Sequence, residues 1–441
     1  MIKLSDRFNY KKLLTYTFPA IIMLVFTSIY GVVDGFFVSN FVGKIPFAAV
    51  NFIMPVLMML GSVGFMFGSG GSALIAKTIG QKNKEKANKI FSLLIYASIA
   101  ISIILTVLTI FFIRPIVSSL GAQGQMLEDS ITYGRVILLS VPFFVLQTEF
   151  QILFATAEKP KIGLYVTIVA GLTNIILDAL FIVVFSWGLV GAAWATTLSI
   201  FVGGVIPIVY FGRKNNSLLQ LTKTKYDGQA MLKTITNGSS ELMNMISMSL
   251  VSIFFNVQLL KYAGENGVAA YGVLMYVNMI FLSIYLGYSV GGAPIISYHF
   301  GAQNHDELKS LLKKSVVIMG AFSLLMFTSA QLLSKPLSML FVGYDQVLMD
   351  MTQRAISVFS FAFLFSGIGV FGSSFFTAMN DGLTSALISF LRTLVFQTGA
   401  VMIFPLFWGL DGIWLSIVLA EAMALVVTVL FFIGKRKKYH Y

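Results

Sequence analysis

Two aspartates, an asparagine and a threonine draw attention because each interrupts an apolar run. Asp34 lies in PAIIMLVFTSIYGVVDGFFVSNFVG, Asp178 in GLTNIILDALFIVVF with Asn174 one helical turn before it, and Thr196 in GLVGAAWATT. Carboxylate, amide and hydroxyl oxygens are hard donors that suit a cation such as Na⁺, with Asp34, Asn174 and Asp178 as its candidate metal ligands. Two neighbouring carboxylates in a low dielectric also disfavour double ionisation, so the same set can take up a proton. The residue types alone leave the choice between H⁺ and Na⁺ open.

Other polar groups break apolar runs elsewhere, where ionisable side chains are costly and usually functional. Glu149 stands between Gln147 and Gln151, which share a helix face with each other while Glu149 projects about 200° away from either. These three, with Tyr30 one turn before Asp34, are candidates for substrate contact or gating. Arg392 and Glu421 fall near the middle of consecutive apolar stretches and read equally as a structural ion pair or as a gating or substrate-binding pair. Glu241 follows Ser239 and Ser240 near the start of the seventh stretch, where a helix N-terminus favours an acid. Phe154, Met275 and Tyr276 are candidate cavity-lining residues, since aromatic and thioether side chains adapt to many shapes.

The elements that must position these groups are membrane helices. Of 441 residues, 57% are hydrophobic and 11% charged, against about 25% charged in a typical soluble domain, and the mean hydropathy is +0.87. Twelve apolar stretches are each long enough to cross about 30 Å of hydrocarbon. They fall near 15–41, 46–76, 90–113, 132–157, 162–186, 190–212, 235–261, 268–298, 312–333, 354–378, 384–407 and 410–433. The basic start resembles a signal peptide, but its apolar run is too long and lacks a small-residue cleavage site, so a retained first helix is expected. This predicts an all-α, multi-pass integral membrane protein.

The charges sort by side. The N-terminal segment, alternate loops and the tail GKRKKYHY carry 23 of the 30 Lys and Arg residues, so the positive-inside rule puts both termini in the cytoplasm. The net charge of +12 is thus a topology signal and gives no support to nucleic-acid binding. With Asp34 and Asp178 on outward-running spans, both acids and Thr196 fall at similar depth in the outer half. Without cysteine there is neither a disulfide nor a thiolate metal site.

Two motifs recur at one offset. GGSALIAKTIGQKN (70–83) matches GGAPIISYHFGAQN (291–304), and WGLVGAAWA (187–195) matches WGLDGIWLS (408–416), each 221 residues later. Duplication of a six-helix unit follows, giving an N-lobe at 1–222, a C-lobe at 223–441 and a linker near 213–232. Parallel halves of this kind are a transporter plan with the substrate handled between them. At the same offset Asp34, Asn174, Asp178 and Thr196 become Phe255, Val395, Gly399 and Ile417, so the acidic site belongs to one lobe.

The six-plus-six duplication, the first-span sequence quoted above, AEKPK after the fourth span and GLVGAAWAT opening the sixth resemble the MATE (multidrug and toxic compound extrusion) transporters, most closely the bacterial DinF- and MepA-like branch. The resemblance covers the whole chain. It implies the MATE/MOP-superfamily fold and a secondary active antiporter of the cell membrane that exports lipophilic, mostly cationic drugs in exchange for H⁺ or Na⁺, with no other cofactor. It also places Asp34, Asn174, Asp178 and Thr196 where DinF-like members carry N-lobe coupling residues. Another branch carries acids deeper in the seventh span and in the tenth; neither is expected here. The expected partners are organic cations and the lipid bilayer, and a monomer is expected.

The alternative within transport is a flippase for lipid-linked oligosaccharides, which would favour a basic cavity; here Arg392 is the one cation deep in a span. A membrane enzyme is disfavoured, because His299, His305 and His440 lie at or beyond span ends and no HExxH occurs. ATP drive is unsupported, since GxxxxGK[ST] is absent.

Overall fold

Backbone groups in hydrocarbon must be satisfied within their own segment, which leaves a helix as the solution for each apolar run. A computed structural model, describing residues 2–119 and 122–441, contains among these residues twelve helices long and apolar enough to cross a membrane, and no strand. They are α1 (Tyr10–Val42), α2 (Ala49–Gly80), α3 (Lys84–Ser119), α4 (Gly124–Thr156), α5 (Pro160–Val184), α6 (Gly188–Gly212), α7 (Gly228–Gly264), α8 (Asn266–Gly301), α9 (His305–Val342), α10 (Gln346–Ala378), α11 (Gly382–Ile403) and α12 (Pro405–Tyr439). All twelve expected spans are present. Most are longer than their apolar runs, because polar helix ends project beyond the hydrocarbon.

The buried side chains gather into three clusters that largely, but not wholly, follow the two halves of the chain. One core is built mainly from residues of the second half, including Phe255, Tyr285, Phe375 and Trp414, and takes in Leu4 and Phe8 of the N-terminal segment and Leu13, Tyr16 and Ile21 of α1. The first half holds two clusters, one around Phe91, Phe150 and Phe211 and one around Ile53, Tyr133 and Ile200. Phe154 belongs to the former, fully buried against Phe211 with ring centroids 5.1 Å apart, so it lines no cavity. Met275 packs on the second-half core, and Tyr276 stacks on Phe341.

The lobes meet along a seam of glycines near the face that carries both termini. A Cβ on Gly70 would lie 2.0 Å from the Thr234 carbonyl oxygen, one on Gly238 2.0 Å from that of Met66, and one on Gly301 2.1 Å from that of Lys77. Gly287 and Gly291 of α8 approach α1 at Ile21 and Thr17 in the same way. The seam reaches Ser28 and Ser283, whose hydroxyls are 2.7 Å apart. Beyond it an added Cβ at Gly31 or Gly272 would meet nothing within 4 Å.

An N-terminal strap crosses the seam. Leu4 N–H donates to Glu158 Oε1 in the first lobe at 2.6 Å, and Phe8 N–H to Glu307 Oε1 in the second at 2.8 Å. Lys314 Nζ also donates to the Phe8 carbonyl. Burial pushes the Glu158 carboxyl above its ordinary value of 4.5. A hydrogen bond from Lys12 holds the Asp6 carboxyl below its usual range, so Asp6 stays ionised throughout that window.

Two predictions follow from this closure. Gly70→Leu forces the lobes apart, and a lone cysteine at Thr234, in a chain that has none, becomes reactive toward a permeant maleimide. For the strap, a raised carboxyl pKa means that the docked state binds the proton more tightly. Docking therefore strengthens as pH falls toward 4.5 and weakens as pH rises through the shifted value. A spin label at Leu4 should report this as immobilisation on acidification, and Glu158→Gln should flatten the profile.

Candidate cation-coupling site

Three N-lobe helices bring the expected residues together. Asp34 sits eight residues before the end of α1, Asp178 six before the end of α5 and Thr196 eight after the start of α6, each about 9–12 Å from the far helix ends. Gly171 lets α5 close on α1, since a Cβ there would fall 2.5 Å from the Phe26 ring and 3.0 Å from that of Tyr30. Both aspartates immediately precede or abut wide turns: α1 ends in a π-helical turn at Val38–Val42, and Asp178 is followed by another at Ala179–Val184. Single π turns recur at functional positions in helices.

The polar contacts run in a chain. Thr196 Oγ1 donates to Asp34 Oδ1 at 3.2 Å and accepts from Asn174 Nδ2 at 3.4 Å. The Asp178 carboxylate faces that of Asp34 and is fully buried. Neither Asp178 oxygen meets a donor, and Asn174 Oδ1 is also unpartnered. Two facing carboxylates have no hydrogen to share unless one is protonated, and three orphaned oxygens around them suit a small cation equally well. Among the described residues no three His, Cys, Asp or Glu side chains converge, so a metal ion here would rely on the amide and hydroxyl oxygens beside the acids.

Tyr133 of α4 completes the group. Its buried hydroxyl lies within reach of Thr196 and near both aspartates. The sequence reading missed it; the available signal was an aromatic hydroxyl at matching depth, nine residues into its helix. Tyr30 lies near Asp34 and beside Gln147, which packs on Gly203 of α6.

Glu149 points elsewhere, as its helical phase requires. It is fully buried and accepts from Ser98 Oγ of α3 at 2.6 Å, within the lobe and away from Tyr30 and Gln147. Gln151 Nε2 donates to Thr167 Oγ1 of α5 at 3.2 Å. In the second lobe Arg392 Nε bonds both Glu421 oxygens, at 3.1 and 2.9 Å, while Gln397 adds a contact at 3.4 Å. Arg392 also lies in a π-helical stretch, Leu391–Phe396. Glu241 corrects the expectation of a helix-start acid. Its helix begins at Gly228, so it lies about 20 Å along that helix from its start, near Asn244, which accepts from Thr393 at 3.2 Å.

A bundle of twelve membrane-length helices with a pair of carboxylates buried in its first half is built to span a bilayer around a charged site. The sequence model of the MatE family matches residues 19–180 and again 242–401, one stretch in each lobe, and the chain belongs to this family of transporters. Similar proteins include the multidrug export protein MepA of Staphylococcus aureus (strain NCTC 8325 / PS 47), 25% identical over 96% of this chain and 93% of its own length. MepA of Staphylococcus haemolyticus (strain JCSC1435) is 26% identical over 94% and 91%. Among solved structures, the outward-facing conformation of a multidrug resistance MATE family transporter of the MOP superfamily superposes with a TM-score of 0.93 at 25% identity, covering 98% of this chain and 97% of that one.

The buried ion pair carries its own prediction. Glu421→Gln leaves the Arg392 guanidinium without its counter-charge and should cost about 3–5 kcal/mol. The double substitution Arg392→Met with Glu421→Leu should recover most of it, as read by thermal unfolding in detergent.

Proposed function

We propose that the protein is a secondary active antiporter that exports lipophilic, mostly cationic compounds in exchange for H⁺ or Na⁺. The facing carboxylates of Asp34 and Asp178 carry this reading: they form a one-lobe site that is electrostatically incomplete without a bound cation. The MepA relatives, named as multidrug export proteins, support the substrate class. The basic loops support cytoplasmic termini, which puts the glycine seam on the cytoplasmic side.

In the cycle, ion uptake from outside at Asp34 and Asp178 favours the inward-facing arrangement, and ion release on the cytoplasmic side favours return with substrate. An ion can do this only by binding the two arrangements with different affinity. Thr196, Asn174 and Tyr133 position the two carboxylates. Arg392, the cation that would recommend an anionic lipid-linked cargo, is neutralised by Glu421, which favours organic cations.

Purified protein in vesicles, given a fluorescent organic cation and separately imposed pH and Na⁺ gradients, should drive transport with one gradient or both. Asp34→Asn and Asp178→Asn should each abolish gradient-driven transport while leaving thermal stability unchanged or raised, since each removes a buried like-charge contact. Gradient-driven export that survives Asp34→Asn would overturn the assignment.

A further inference from the structure

A second site lies at the terminal face, outside the transport cleft. A crevice of about 990 Å³ opens between the start of α3, in the first lobe, and the linker leading into α7, in the second. Its basic wall is Lys86, Lys89, Lys223 and Lys225, and its apolar wall is Ile90, Leu93 and Leu232.

The linker is held in place to build this wall. Gln220 N–H donates to Asn88 Oδ1 at 3.1 Å, Thr222 N–H to Ser92 Oγ at 2.8 Å, and Thr224 Oγ1 to the Lys89 carbonyl at 3.0 Å. These bonds lay residues 220–224 along α3 and set Lys223 and Lys225 beside Lys86. The acids nearby are already engaged. Glu85 pairs with Lys89 at 2.7 Å, and Asp227 Oδ1 caps α7 by accepting from Gln229 and Ala230 N–H. Among the described residues no acid pairs with Lys86, Lys223 or Lys225, so the crevice keeps a net positive charge.

The surroundings are those of a membrane boundary. Tyr226 at the rim and Leu232 on α7 are 79% and 65% exposed, and Ile235 one turn deeper is also exposed, which continues an apolar track into the span. A soluble anion would use the lysines and leave this track bare. A phospholipid uses both, with its phosphate on the ammonium groups and its acyl chains on Leu232 and Ile235. Basic pockets between spans on the cytoplasmic side recognise anionic headgroups in this manner.

We infer that this crevice binds the headgroup of an anionic glycerophospholipid, phosphatidylglycerol or a relative with the same phosphodiester chemistry, at the junction of the two lobes. The test uses the full chain in detergent supplied with phosphatidylglycerol or phosphatidylcholine, with bound lipid counted by native mass spectrometry. Phosphatidylglycerol should be retained in preference to phosphatidylcholine. The triple variant Lys86→Gln, Lys223→Gln, Lys225→Gln should weaken retention by about a hundredfold, three charges at the usual per-lysine attraction. Leu232→Ser, at an exposed position and unchanged charge, should weaken it as well, and keeps the inference testable should the triple variant fold poorly. Lys437→Gln with Lys438→Gln, on the equally basic tail, should leave retention intact. Equal retention of both lipids, an equal loss in the tail variant, no loss in Leu232→Ser, or displacement by inorganic phosphate at matching concentration would each overturn it.

Discussion

A carboxylate buried among helices in hydrocarbon has no water to answer it, and much of the first lobe is arranged around that constraint. Asp178 is fully buried beside Asp34 with no donor of its own. Thr196, held by Asn174, donates to Asp34, and both Asp178 oxygens and Asn174 Oδ1 are left without a donor. Gly171 brings the two helices close enough for the acids to face, and the π turns after them set the angle at which the helix ends leave the cluster. The second lobe meets the same constraint differently. Arg392 and Glu421 neutralise one another, so that lobe's deep charge is internally complete.

This difference between lobes that share an ancestry was legible in the sequence. The offset of 221 residues showed that the acidic set has no counterpart, and depth along assigned spans was enough to group Asp34, Asn174, Asp178 and Thr196. Hydrophobic length made all twelve spans readable, because hydrocarbon thickness imposes it directly. Span ends were less so: α9 runs Leu312-Leu333 in the apolar reading but His305–Val342 in the fold, since Asp306, Glu307 and Lys309 continue the helix where the solvent is no longer hydrocarbon.

What the sequence hid depends on helix phase and on distant partners. Helical phase set Glu149 apart from Gln147 and Gln151, but neither phase nor depth says which distant neighbour a side chain meets; Ser98 and Phe211 are 51 and 57 residues away from Glu149 and Phe154. Glu241 was misplaced because the polar first turns of α7 look like a loop until Asp227 is seen capping them. The strap is hidden for a further reason, since its bonds to Glu158 and Glu307 are made by backbone amides, which carry no residue signature.

The glycine seam has a consequence for passage as well as for closure. Where α2 meets α7 and α8, backbone lies on backbone, and the carbonyl oxygens that face across the gap are already engaged along their own helices. Surfaces freed by parting the lobes would therefore be shallow troughs with few unfilled hydrogen-bonding positions, and their charge would come from Lys77, which lies over the Phe300 ring, and from the nearby Lys233. A molecule passing between them at the face that carries both termini would find few hydrogen-bonding partners to hold it.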